Sequence, residues 1–234
     1  MPEIYQIIIF EEEEDNCEGK AVISNPFKDD ERYMKSGKEV IGLILMENLA
    51  FGCDHFSAID IKIGQKRCYH KVSKKRKESQ SKVLKATTQG EYSFLLWIYK
   101  IVNCKTGKVM YEGNKDYKKG NELNLETALD YSMTKERLRW FLTDHGKEPE
   151  VLNLSAVEKF LENLDKYIYH FKNLNSKFTK GLSLFGVVDH IKEIYEFRII
   201  DISGLFPMKD GDDNKTLEGL NNIKKLIEEI KSEG

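Results

Sequence analysis

The alternation of apolar and polar residues is strictest over residues 55–63. There Ile59, Ile61 and Ile63 fall on one side and Ala58, Asp60 and Lys62 on the other, the two-residue period of a half-buried strand. Gly64 permits a turn into "RCYHKV", so the pattern predicts a hairpin. "YSFLLWIYKIV", residues 92–102, is apolar on both faces and predicts a central strand, with "CKTGK" as a turn and "VMYEG" as the return. At the start of the chain "EIYQIIIF" and "KAVIS" predict an antiparallel pair, with the acidic run Glu11 to Asp15 as the solvated tip between them.

Elsewhere the period is helical. Ser36 and Glu39 fit a capping box, and Val40, Ile41, Ile44, Leu45 and Leu49 supply the apolar face of a helix over 37–51 that Gly52 can stop. Asn124 is placed to cap a second helix ending near Asp144 to Gly146. Ser155 and Glu158 form another capping box. Behind it Val157, Phe160, Leu164, Tyr167, Phe171, Leu174 and Phe178 recur at spacings of three and four, and Leu161 and Ile168 widen the stripe beyond a coiled-coil seam. Residues 182–202 read as a short helix followed by the strand "YEFRIIDIS", and 204–215 as a loop. Thr216 opens a terminal helix with Leu217, Leu220, Ile223, Ile227 and Ile230 on one side. Together these elements predict the α+β class, with an antiparallel or mixed sheet from the N-terminal half packed against helices mainly from the C-terminal half. The expectation is a single domain over 1–234, strand-rich to residue 120 and helix-rich from 121.

Composition adds little to the fold and something to the setting. With 234 residues, 40% hydrophobic and 32% charged, the chain is that of an ordinary globular protein. No apolar run approaches bilayer-spanning length, and "MPEIYQIIIFEEEE" lacks the basic start of a secretory leader, so a cytoplasmic location is expected. Four dispersed cysteines, Cys17, Cys53, Cys68 and Cys104, fit reduced thiols better than a disulfide framework.

Charge is more informative. The formal net charge is −2, yet residues 1–50 carry 12 acidic and 5 basic side chains and residues 51–120 carry 6 and 16. A basic middle third therefore stands between acidic flanks, and overall neutrality conceals it. Its densest part is "HKVSKKRKESQSKVLK". From Lys71 to Lys85 it holds Lys71, Lys74, Lys75, Arg76, Lys77, Lys82 and Lys85 against one acid, Glu78. Read as a serine-containing mobile loop extending the hairpin, this segment would neutralise phosphates, and DNA or RNA backbone is the partner it suggests. Lysine outnumbers arginine, which suits point-charge contact better than base readout.

Three constellations remain. Cys53, His55, Cys68 and His70 have zinc-ligand chemistry, but the hairpin register places Cys53 about 30 Å from Cys68, so no metal is assigned. The same register sets Asp60 opposite His70, making Asp60, Lys62 and His70 a catalytic face of the kind that a metal-dependent nuclease or phosphodiesterase would use. Three of the five histidines follow aspartate, as Asp54-His55, Asp144-His145 and Asp189-His190; His145 suits a helix C-terminus. Neither a phosphate-gripping glycine loop nor a G-x-S-x-G elbow is present, and no cofactor is assigned. The leading expectation is a cytoplasmic nucleic-acid-associated protein. A non-catalytic protein-binding or inhibitory module, with a protein partner, and a metal-dependent nuclease are the alternatives.

Overall fold

The computed structural model describes residues 4–11, 20–22, 42–46, 48–65, 74–113, 118–119, 122–123, 130–173, 176–178, 182–200, 205–207 and 214–234. The chain divides into two compact units, Met1–Leu49 and Ala50–Gly234.

In the first unit β1 (Ile4–Glu11), β2 (Lys20–Val22) and β3 (Gly42–Met46) form an antiparallel sheet in the order β2-β1-β3. β2 pairs with β1 as the sequence predicts, with Phe10 opposite Ala21. The helix expected over 37–51 is not what forms at 42–46. "GLILM" is apolar at every position, so it suits either period, and pairing of Ile44 with Ile7 makes it a strand. Residues 37–41 and 47 of that expected helix lie outside the described residues.

The second unit runs β4 (Ser57–Ile63), α1 (Lys74–Ala86), α2 (Thr88–Tyr92), β5 (Phe94–Val102), β6 (Val109–Gly113), β7 (Lys118–Lys119), β8 (Glu122–Leu123), α3 (Tyr131–Leu142), β9 (Thr143–Asp144), β10 (Val151–Leu152), α4 (Leu154–Asn173), β11 (Ser176–Phe178), β12 (Leu182–Asp189), β13 (Ile194–Ile200), β14 (Leu205–Pro207) and α5 (Lys215–Ser232). Its main sheet has the order β13-β12-β4-β5-β6, antiparallel throughout. This is the expected α+β class. The stretch expected as helix then strand, 182–202, instead supplies two adjacent strands, β12 and β13, because "LSLFGVVD" pairs along its whole length with β4.

One face of this sheet makes the core. Ile59, Ile61 and Ile63 of β4, Phe94 and Leu96 of β5, Leu184 of β12 and Phe197 of β13 are buried with Phe141 of α3, Phe160 of α4 and Leu220, Ile223 and Ile227 of α5. Phe160 stacks on Phe197, ring centroids 4.2 Å apart, and Tyr167 donates its hydroxyl to the Phe197 carbonyl. The expected stripe on α4 therefore faces the sheet. α3 starts at Tyr131, later than predicted, where Asp130 accepts from the Met133 N–H at 2.8 Å. α4 is capped by Asn153, ahead of the predicted Ser155, through a 3.0 Å bond from the Ala156 N–H.

The basic segment is a helix and not a mobile loop. α1 leads into α2, and α2 fastens to the C-terminal end of β4. The Gln89 amide donates to the Gly64 carbonyl at 2.8 Å, the Gln65 amide donates to the Gly90 carbonyl at 2.9 Å, and the Gly64 N–H donates to the Ser93 carbonyl at 2.7 Å. Gly64 adopts φ +78°, which ends the strand in a conformation that side chains resist. α1 and α2 approach so closely that a Cβ on Gly90 would lie 1.9 Å from the Leu84 carbonyl oxygen. Glycine is the residue that lets the two helices meet.

At the other end of the sheet the three Asp–His pairs are linked. Asp189 Oδ2 accepts from the Asp54 N–H at 3.1 Å, His55 Nδ1 donates to the Cys104 carbonyl at 2.9 Å, and the Cys104 thiol donates to Asp144 Oδ1 at 3.2 Å. His190 Nδ1 accepts from the Asn153 amide at 3.0 Å. His145 Nε2 donates to the Trp140 carbonyl at the end of α3, the helix-terminal role expected for it. Burial works against ionisation of Asp144, yet bonds from Cys104, the Gly146 N–H and Lys147 hold its carboxyl below the ordinary range. Burial pushes the Cys104 thiol up to about 11, Asp144 adding to the effect, so this cysteine is a hydrogen-bond donor and not a nucleophile. Burial takes His190 the other way, from 6.5 to about 4. Among the described residues no helix is long and apolar enough to cross a membrane.

Two outcomes follow. His190 is buried as the neutral ring, so the unfolded chain binds its proton first; stability is complete above pH 6.5 and falls by roughly 3 kcal/mol as pH drops towards about 4. Urea titrations at stepped pH should show that slope in the wild type and a shallower one in His190→Asn. For Gly90→Ala, amide hydrogen exchange should speed up across residues 74–86 while β4 and β5 keep their protection; unchanged exchange in α1 would refute the close-approach account.

Candidate functional site

β4 places the chemistry. Its buried isoleucines point into the core, so Ala58, Asp60 and Lys62 project from the opposite face. Both edges of β4 are occupied, by β12 and by β5, so it cannot pair with residues 67–72. The hairpin reading fails for this reason, and with it the Asp60–His70 and Lys62–Cys68 pairings. Asp60 stands between Phe185 and Ile98, and Lys62 between Ser183 and Leu95. Cys68, His70 and Lys71 lie outside the described residues.

The two β4 side chains form a close pair. Lys62 Nζ lies 3.1 Å from Asp60 Oδ2, with side-chain exposures of 17% and 15%. Lys62 also donates to the Ser183 hydroxyl across the strand pair. Asp60 Oδ1 is buried and accepts no hydrogen bond. A buried carboxylate oxygen left unmatched is costly, which marks this atom as one prepared for a donor or a cation from outside the chain. Beside Asp60 the register of β5 shifts by a bulge, the device that most often re-aims side chains next to reactive groups.

The register extends this face. Lys100 lies opposite Ala58, one step diagonal from Asp60, and is exposed. On β13, Arg198 lies opposite Phe185 and is paired with Glu196 at 2.6 Å. Among the described residues no three His, Cys, Asp or Glu side chains converge on a common cation position. Of the zinc candidates, His55 Nδ1 is committed to the Cys104 carbonyl and Cys53 is half-buried, while Cys68 and His70 lie outside the described residues.

α1 leads into α2, which is bonded to Gly64 and Gln65 at the Lys62 end of β4. Lys74, Glu78, Lys82 and Lys85 recur at helical spacing on one exposed side of α1. Lys75, Arg76 and Lys77 belong to the same helix. The sequence alone identified Asp60, Lys62 and the lysine run. It missed Ser183 and Lys100, whose placement depends on pairing between strands far apart in the chain.

Comparison with known proteins gives this arrangement its context. The family model described as inositol polyphosphate kinase matches residues 43–228, which include β4, α1, the whole five-stranded sheet and most of α5. A structure of an inositol phosphate multikinase, determined for structural and engineering studies, superposes with a TM-score of 0.64 over 80% of this chain and 85% of its own, at 20% identity. The Saccharomyces cerevisiae inositol phosphate multikinase Ipk2, solved with ADP and Mn2+, superposes with a TM-score of 0.60 over 80% of this chain and 83% of its own, at 15% identity. These two likenesses concern the fold. A search of curated protein sequences finds no match. The family match overturns the nucleic-acid reading and its DNA or RNA partner, and the nuclease and protein-binding alternatives give way with it. Positive charge near a carboxylate serves small phosphorylated molecules as well as polynucleotides, and composition cannot separate the two. From its matched length the conclusion is plain: the chain belongs to the inositol polyphosphate kinase family.

Proposed function

We propose that the protein is an ATP-dependent kinase of a phosphorylated inositol, with Asp60 and Lys62 at the point of phosphoryl transfer. The observation that carries the reading is the Asp60–Lys62 pair on the central strand, with one carboxylate oxygen engaged at 3.1 Å and the other buried and unmatched.

Phosphoryl transfer asks the protein mainly to align two reactants and to balance charge on the transferred group. Asp60 Oδ1 accepts the hydrogen of the acceptor hydroxyl and takes its proton as the new O–P bond forms and the bond from the γ-phosphorus to the departing ADP oxygen breaks. Lys62, held against Asp60 and Ser183, presents a fixed positive charge to the phosphoryl oxygens. A divalent ion accompanying the nucleotide would neutralise phosphate charge, and the unmatched Oδ1 suits a cation as well as a hydroxyl. The described residues supply at most part of that ion's shell.

Substrate phosphates need cations around this pair. Lys100 is exposed on the same face, and Lys74, Lys82 and Lys85 are exposed on α1, which is anchored at the Lys62 end of β4. Lysine suits this task because its flexible point charge adapts to several phosphate positions on a small ring. By position in the sequence Lys71, Lys75, Arg76 and Lys77 belong with them, and we keep His70 as a candidate for the same role. The basic middle of the chain thus has a small polyphosphate as its partner. A cytoplasmic setting fits, since both substrates are soluble and the described cysteines, Cys53 and Cys104, are free thiols.

The test is transfer of labelled phosphate from ATP with Mg2+ to a panel of inositol phosphates. Asp60→Asn and Lys62→Met should each lower kcat on the order of 10²-fold or more, with Tm close to wild type because neither side chain contributes to the core. Lys100→Ala should raise KM for the inositol phosphate several-fold and leave KM for ATP unchanged. No transfer to any member of the panel, or full activity in Asp60→Asn, would overturn the reading.

A further inference from the structure

Ser93 is held in a backbone conformation that serine avoids. It closes α2 with φ 57° and ψ 27°, and it is fully buried. A left-handed helix end is the ordinary place for glycine, which has no Cβ to crowd the neighbouring carbonyl. Among the described residues Glu193 is the other non-glycine with positive φ, and it lies in the exposed turn between β12 and β13. At Ser93 the conformation has a use, since it turns the carbonyl to the end of β4, where it accepts from the Gly64 N–H at 2.7 Å. The hydroxyl has another. Ser93 Oγ donates to Glu218 Oε1, in the first turn of α5, at 2.8 Å, while Lys215 engages Glu218 Oε2 at 2.7 Å. Burial works against ionisation of Glu218, yet these two bonds hold its carboxyl below the ordinary range, so a carboxylate meets the hydroxyl at neutral pH. The start of α5 abuts the same junction: a Cβ on Gly219 would lie 2.2 Å from the Ser93 carbonyl oxygen, and one on Gly64 would lie 3.3 Å from Thr216 Oγ1. The Asn222 amide donates to the Tyr92 carbonyl at 3.0 Å.

We infer that Glu218 is a positioning residue for the inositol phosphate: through the Ser93 hydroxyl it offsets the strain of the left-handed turn, and so keeps α2, with the lysines of α1 that precede it, at a fixed distance from Lys62. This rests on the functional reading above, which gives Lys82 and Lys85 a substrate role, and extends that site to a residue more than a hundred positions away. The point of reference is rigid, because Leu220, Ile223 and Ile227 lock the inner face of α5 into the core. The link to α1 is short. Thr87 alone separates the two helices, its hydroxyl donates to the Val83 carbonyl at 2.8 Å, and Gly90 lets α2 press on the Leu84 carbonyl. A shift at the end of α2 is therefore carried into α1. Without the carboxylate, the strain at Ser93 is relieved by letting the carbonyl leave Gly64 or by tilting α2, and either motion moves the cations relative to β4. Glycine at position 93 would adopt the same angles without strain, and the Glu218 bond would then have nothing to offset.

The experiment is steady-state kinetics with ATP, Mg2+ and the best inositol phosphate of the panel, together with thermal melting and amide hydrogen exchange, on full-length Glu218→Ala, Glu218→Gln, Ser93→Gly and the double variant Ser93→Gly, Glu218→Ala. Glu218→Ala should raise KM for the inositol phosphate several-fold, keep KM for ATP and kcat within about twofold of wild type, and speed exchange across residues 74–92. Glu218→Gln, whose amide oxygen accepts the same hydroxyl, should stay within about twofold of wild type in every parameter. Ser93→Gly should match wild type by itself and should return the KM of Glu218→Ala to about the wild-type value, a suppression that a purely stabilising contact would not show. Lys82→Ala combined with Lys85→Ala separates the two levels of the argument. A wild-type KM in that variant overturns the substrate role of α1 itself. A raised KM there, beside a wild-type KM in Glu218→Ala, a loss seen only as lowered Tm, or a KM defect that Ser93→Gly leaves in place, overturns the inference about Glu218.

Discussion

The structure depends on β4 being paired along both edges. A strand in that position has no freedom of register: Leu182 to Val188 fix it on one side and Phe94 to Lys100 on the other. Slipping by one residue would send Asp60 and Lys62 into the core and bring Ile59, Ile61 and Ile63 out, a change that the burial of the three isoleucines forbids. The same isoleucines that hold the sheet on α3 and α5 thus orient the charged pair on the reverse side. Stability and site geometry are two faces of one seven-residue strand.

From that constraint the rest of the site is arranged by what grips the two ends of β4. At its C-terminal end, Gly64 and Gln65 are clasped by α2, and the basic helix α1 is carried along by its tight contact at Gly90. At its N-terminal end the linked Asp–His pairs join Asp54 and His55 to Cys104, Asp144 and Asp189. The residues doing this joining sit away from Asp60 and Lys62. Their perturbed protonation has burial as its first cause for Cys104 and His190, and local hydrogen bonds hold Asp144 down. Perturbation of this kind is often a sign of catalysis, but here the groups satisfy one another and tie loops to the sheet. The Asp60–Lys62 pair on β4 is the one with an oxygen left over.

Legibility from sequence followed the range of the interactions. The alternation at 57–63 and the helical stripes at 154–173 and 215–232 were readable because each depends on neighbours a few residues away. The placement of Asp60 and Lys62 on one side of a strand was readable for the same reason. What Asp60 faces was not: its partners Phe185 and Ile98 come from distant strands, and the local turn at Gly64 suggested a hairpin that the sheet does not contain. The segment 42–46 misled because a fully apolar run has no period to read. Ser183 carried no signal, since a lone serine in an apolar run has meaning only once Lys62 is known to lie opposite.

The functional error has a similar cause, and it shows how reactive chemistry and substrate class are encoded at different scales. An acidic residue two positions from a lysine on a strand, near clustered cations, is a statement about phosphate: it says that charge on phosphoryl oxygens is met and that a hydroxyl or a metal-bound water is addressed. Hydrolysis of a phosphodiester and transfer from a nucleotide to a sugar alcohol both need those parts. The difference lies in the shape of the surroundings. A polynucleotide needs a track of cations along an extended surface, whereas a cyclitol phosphate needs a few cations converging on one point. In this chain Lys74, Lys82 and Lys85 belong to one helix that leads into α2, which is bonded to the end of the strand that bears Asp60 and Lys62, and Lys100 lies opposite Ala58 on the neighbouring strand. No count of lysines along the sequence could have expressed that placement.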